Sequence, residues 1–103
     1  MLTSSSVDVD AVILVCVQKG LDHFGSTFKF VIYHELKKAD NLEGKRIVQK
    51  PLTFSNTLDK LFGDGSVAIK KAIMAELSKE FSVSTRQEDL VSMINRVRSN
   101  VEV

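Results

Sequence analysis

A chain of 103 residues that is 44% hydrophobic and 26% charged, with a single proline, has material for one core and is too apolar to be disordered. Its 14 Lys and Arg against 13 Asp and Glu leave a formal charge of +1, which excludes the strong global field of a dedicated histone-like DNA binder. The longest apolar run, residues 11–17, is far short of the roughly 20 residues that cross a bilayer, so no membrane partner is expected.

Residues 1–6 are short and polar and read as a flexible N-terminus ahead of a single helical domain over 7–103. Ser5 or Ser6 is placed to cap the first helix. From residue 7 to 24 the apolar residues Val9, Val12, Ile13, Cys16, Val17, Leu21 and Phe24 recur at three and four, which puts them on one helical face. Strand is the rival, because Val12, Ile13, Val15 and Val17 are β-branched. The period persists for about four turns, and helix over 8–24 is the reading. Asp8 and Asp10 stand where a signal peptide needs basic residues, and the lone Cys16 cannot form an internal disulfide. A reducing, cytoplasmic setting is expected, with Cys16 a buried small hydrophobe.

Gly25 stops this segment, and Ser26 or Thr27 is placed to cap a second helix over 26–38 with a spine of Phe28, Val31, Ile32, Glu35 and Leu36. Residues 40–44 form a polar connector, and 45–50 read as a single turn or a loop in which Ile47 and Val48 are the apolar residues. Lys50-Pro51 forces a break, and proline suits the first turn of a new helix over 51–62. Gly63-Asp64-Gly65 ends it, a helix over 66–81 comes next, and Thr85 with Glu88 makes a capping box for a last helix over 86–100. The expected fold is therefore all-α, a compact orthogonal bundle of about five short helices. Its expected core is Phe28, Ile32, Leu36, Phe54, Leu58, Phe62, Ile69, Ile73, Leu77, Leu90 and Ile94.

Catalytic chemistry finds no foothold in this pattern. His34-Glu35 begins like a zinc-protease helix, but Lys38 occupies the place of the second histidine. His23, His34 and Cys16 have no spacing of a closed zinc site. The serines at 4–6, 82 and 84 are explained by capping and loop solvation. Gly63-Asp64-Gly65 lacks the longer glycine run and terminal Lys of a phosphate loop, and Asp64 would repel an anion. No enzyme activity, metal or cofactor is expected.

Positive charge gathers in one stretch. Lys37, Lys38, Lys45, Arg46 and Lys50 face only Asp40 and Glu43 over residues 37–50, and Arg86, Arg96 and Arg98 add charge around the last helix. Such a patch is a candidate phosphate-backbone contact, although solvated lysines at helix ends are the commoner meaning and the near-neutral total disfavours nucleic acid.

Phe30-Val31-Ile32-Tyr33-His34-Glu35-Leu36, then Ile47, Pro51, Phe54 and Leu58, then Leu61-Phe62-Gly63-Asp64-Gly65 and the stretch 68–81 with Lys71, Ala72, Ile73 and Leu77 together resemble the Nitrosopumilus-type output domain, a family of small archaeal signal-transduction domains. The resemblance covers residues 28–81 and rests on packing signatures. It implies regulation by binding, with no catalytic residue to carry over. Domains of that family are attached to receiver or sensor modules, which this sequence is expected to lack.

The functional expectation is a non-enzymatic regulatory or protein-interaction domain in signal transduction, with a protein partner that no residue names and with self-association as a homodimer or small oligomer. Ala11, Leu14, Val15 and Leu21 widen the apolar surface of the first helix nearly all round, and a helix apolar on every side must be enclosed. The alternative is a small DNA-binding transcriptional regulator using the basic residues of 37–50 or of the last helix.

Overall fold

Residues 11–17, where β-branched propensity argues for a strand, lie inside a helix, α1 (Val9–Asp22). Packing of a continuous apolar face overrides propensity here. The computed structural model describes residues 8–84 and 88–101, and among these there is no strand. The remaining helices are α2 (Ser26–Asp40), a single turn α3 (Arg46–Gln49), α4 (Pro51–Phe62), α5 (Ser66–Phe81) and α6 (Leu90–Val101), with a 3-10 turn at Gly63–Gly65 joining α4 to α5. The chain is a small all-α bundle, and the basic segment resolves as a turn of helix rather than a loop.

Helix ends differ from expectation for local reasons. Asp8, not a serine, caps α1, its Oδ1 accepting from the Ala11 amide at 3.1 Å; Ser5 and Ser6 lie outside the described residues. α1 ends at Asp22, and Phe24 falls in the turn beyond it. Ser26 is the first residue of α2, so Gly25 occupies its cap position at φ 99 with no side-chain hydrogen bond. At the far end Asn41, at φ 55, takes the left-handed conformation that lets α2 run two residues past Lys38. The last helix starts at Leu90, four residues later than expected. Asp89 serves its first turn by accepting from the Ser92 amide at 2.8 Å, while Glu88 turns away to Arg96. Thr85, the other half of the expected capping box, lies outside the described residues.

The core gathers the expected stripes. Ile32, Leu36, Phe54, Leu58, Ile69, Ile73, Leu77, Leu90 and Ile94 are all buried. Phe28 and Phe62 are instead half-buried and stack on each other with ring centroids 4.4 Å apart. Phe24 adds a third ring to this ladder, 5.5 Å from Phe28. Leu42, Ile47 and Val48, from the connector and the short turn, also enter the core.

α1 is the central helix. It packs chiefly along α5 and also touches α2, α3 and α6. Ile13, Cys16, Val17 and Leu21 are buried in these contacts, and Leu14 packs against their edge. The surplus apolar surface that suggested a dimer through this helix is largely enclosed within one chain. Leu21 in particular is fully buried and cannot belong to a surface strip. Ala11 is half-buried, and Val15, at 46% exposed, is the one large apolar residue α1 shows strongly to solvent.

Candidate functional site

Four of the eight basic residues proposed for nucleic acid are engaged inside the chain. Lys37 pairs with Glu43 at 2.6 Å and Lys45 with Asp8 at 2.6 Å. Arg96 grips Glu88 through Nε and Nη2 and donates to the Ser84 carbonyl at 2.8 Å. Arg98 donates to both carboxylate oxygens of Asp10, at 2.8 and 3.3 Å, and Gln49 joins the same carboxylate at 3.2 Å. Asp8 and Asp10 thus tie the start of α1 to α3 and α6. Lys38, Arg46 and Lys50 are exposed and form no ion pair among the described residues. Arg86 lies outside them. The stretch that reads as a basic run is, in space, three cations with no ion pair among the described residues beside two that are paired, Lys37 and Lys45.

Groups with chemical potential are dispersed. His34 is exposed on α2 and stacks on Phe30, centroids 6.0 Å apart, while Glu35 pairs with Lys60 of α4 at 3.1 Å. His23, just past α1, meets Glu76 of α5 at 3.3 Å. Among the described residues no three His, Cys, Asp or Glu side chains come together as a cation site. Cys16 is buried with its Sγ 3.7 Å from the Glu76 carbonyl. Burial pushes its thiol up to about 11, with the Glu80 and Glu76 charges adding and Lys19 opposing. At neutral pH it is a protonated thiol and a poor nucleophile.

What α2 shows to solvent was missed by the sequence reading, which set Val31 on the buried spine. Ile32 and Leu36 are buried, but Val31 is 42% exposed and Phe30 is 69% exposed. Thr27, Phe30, Val31 and His34 follow one another at the spacing that brings residues onto one side of a helix. All four are exposed. Phe24, 37% exposed, belongs instead to the ring ladder with Phe28 and Phe62. The signal was present in the sequence: at about 100° per residue Phe30 falls on the far side of the helix from the Phe28, Ile32, Leu36 line.

No family model, no curated protein and no solved structure matches this chain.

Proposed function

We propose that this chain is a non-enzymatic protein-interaction domain of a regulatory kind, working in the cytoplasm in signal transduction, and that it self-associates through the outer face of α2 rather than through α1. The observation that carries this reading is the 69% exposure of Phe30, next to Val31 at 42%. Apolar surface gains roughly 25 cal/mol per Å² on leaving water, and Phe30 collects little of that gain within one chain. A second copy offers the same face, and two-fold pairing of one patch with itself closes the assembly. The signalling setting is the one implied by the resemblance to the archaeal output domains. No catalytic, metal or cofactor role is assigned to any residue.

Sedimentation over a range of concentrations tests the reading. The expected result is a mass that rises toward the dimer, and a Phe30→Lys variant that stays monomeric with unchanged helical circular dichroism. A wild-type chain that is monomeric at high micromolar concentration overturns it. Retention on duplex DNA that falls steeply with salt would favour the DNA-binding alternative, through Lys38, Arg46 and Lys50.

A further inference from the structure

The exposed stripe of α2 is symmetric about its own midpoint. Thr27 and His34 stand seven residues apart, a step that returns to the same line of a helix within about 20° and about 10 Å further along its axis. Phe30 and Val31 lie between them, one on each side of that line. All four are exposed. Along the helix the stripe therefore reads polar, apolar, apolar, polar in either direction. A two-fold axis midway between Phe30 and Val31 lays one stripe on a second copy in the opposite sense. Phe30 then meets Phe30, Val31 meets Val31, and at both ends Thr27 of one copy meets His34 of the other. A hydroxyl and an imidazole each donate and accept, so these polar ends serve one another. Opposed helices also set the positive end of each dipole beside the negative end of the other. A parallel pair would instead set His34 against His34 and Lys38 against Lys38.

We propose that this chain pairs with a second copy through antiparallel α2 helices, Thr27 of one against His34 of the other, and that protonation of His34 opens the pair. The inference rests on the outer face of α2 being the self-association face, and adds its orientation and its control. His34 is one turn, about 5.4 Å, from Phe30. A stable pairing covers about 800 Å² on each partner, so one centred on Phe30 and Val31 encloses the imidazole. Neutral, the ring is a polar group with Thr27 to serve it. Charged, it is a cation taken from water into an apolar contact. The carboxylates around α2 are committed to lysines: Glu35 to Lys60 of α4 at 3.1 Å, Glu43 of the connector to Lys37 at 2.6 Å, and Asp22 at the end of α1 to Lys29 at 2.7 Å. Asp40, six residues beyond His34, falls off the stripe. Lys38, four residues beyond it, adds a like charge on the same side. In the separated chain the protonated ring keeps water and the face of Phe30, with centroids 6.0 Å apart. Protonation therefore favours the separated chain, and pairing weakens as the pH falls through the histidine range.

The experiment is sedimentation of the whole chain at about pH 8 and about pH 5.5, which span the charge change of histidine, with circular dichroism at both to show that the chain stays folded. The wild type should pair at the higher pH. At the lower its dissociation constant should rise about tenfold to a hundredfold, one proton entering at each of the two histidines. His34→Gln, neutral throughout, should pair equally at both. His23→Gln, at the chain's other histidine, should keep the pH dependence. Orientation is read by mixing Thr27→Cys and His34→Cys chains and oxidising them, the native Cys16 being buried. The mixed disulfide should form ahead of either homodimeric one. The inference is overturned, with the α2 face left standing, by a wild type that pairs equally at both pH values, by a pH dependence that follows His23 instead of His34, or by homodimeric disulfides that form first. A wild type that is monomeric at high micromolar concentration at the higher pH overturns the α2 face itself, and this inference with it.

Discussion

Gly20 of α1 lies directly on the backbone of Ile73 in α5: a methyl group on Gly20 would stand 2.8 Å from the Ile73 Cα and 2.9 Å from its nitrogen. Neither atom can move without moving α5, so the absence of a side chain at Gly20 sets how closely the two helices approach. In an exposed helix, alanine is better than glycine by about 1 kcal/mol. Here the sign reverses. Gly20→Ala should destabilise the chain by about 1–3 kcal/mol, the usual cost of overpacking, and Gly20→Val by more. Urea denaturation measures both, and a Gly20→Ala variant as stable as the wild type would show that the crossing is looser than this distance.

Ile73 from the other side of the same contact gives a second expectation. Its side chain is fully buried, and Ile73→Ala should cost about 2–5 kcal/mol. Val67, on the same helix but 53% exposed, is the internal control. Val67→Ala should stay within about 0.5 kcal/mol of the wild type. If the two variants melted alike, the buried line of α5 would be misplaced.

Much of this architecture was legible because helices announce themselves by period. Pro51, the glycine turn at 63–65 and the stripe Ile69, Ile73, Leu77 specify α4 and α5 almost residue by residue. What was not legible was partnership. Nothing local to Gly20 says that it faces Ile73 across 53 residues of chain, and nothing in Asp10 names Arg98. The surplus of apolar residues in α1 had two solutions, a second copy or the rest of the same chain, and only tertiary packing chooses the latter. The candidate site suffered most. Two members of a basic run in sequence, Lys37 and Lys45, proved to be paired in space, while the exposed face of α2 was hidden by reading Val31 into the spine when the helix wheel turns it outward.

That choice can be tested on α1 itself. Val15→Asp should leave a folded chain, because Val15 is 46% exposed, whereas Leu21→Asp should unfold it, because a buried unpaired carboxylate has neither water nor a cation. Circular dichroism with thermal melting separates the outcomes. Unfolding by Val15→Asp would mean that this side of α1 is covered.

Stability should be lost in acid. The carboxyls of Asp59, held down by Lys70 and Ser66, of Glu76, by His23 and Lys79, of Glu35, by Lys60, and of Asp8, by Lys45 and the Ala11 amide, all lie below their ordinary values. Asp89 joins them through the Ser92 amide at the start of α6. Folding lowers these pKa values, so in acid the unfolded chain binds protons that the folded chain refuses. The contribution is complete above the ordinary values of 3.8 for Asp and 4.5 for Glu and drains away as the pH falls through the lower folded-state values. Melting temperature should be flat from neutrality down to about pH 5 and fall below pH 4. A chain that melts equally well at pH 3 and pH 7 would mean that these carboxyls are not held down by folding.

The tie between Asp10 and Arg98 should count for more than an ordinary surface pair. Exposed ion pairs are worth about 0–1 kcal/mol because water competes for both partners and two long side chains must be ordered. Asp10 differs in three respects. Its side chain is 18% exposed against 30% for Arg98, the guanidinium meets it through two nitrogens, and Gln49 supplies a further donor from α3. The contact also spans 88 residues, joining the start of α1 to the last helix. Removing the carboxylate leaves Arg98 and Gln49 to find water, which Arg98 can partly do. Asp10→Ala is therefore expected to cost about 1–2 kcal/mol, less than the roughly 3–5 kcal/mol of breaking a fully buried pair. The double variant with Arg98→Ala should reveal a coupling above about 0.5 kcal/mol, and hydrogen exchange should show the loss concentrated in α6. A coupling below about 0.3 kcal/mol, within the scatter of independent sites, would reduce this pair to surface decoration and leave α6 held by Leu90, Met93, Ile94 and Val97 alone.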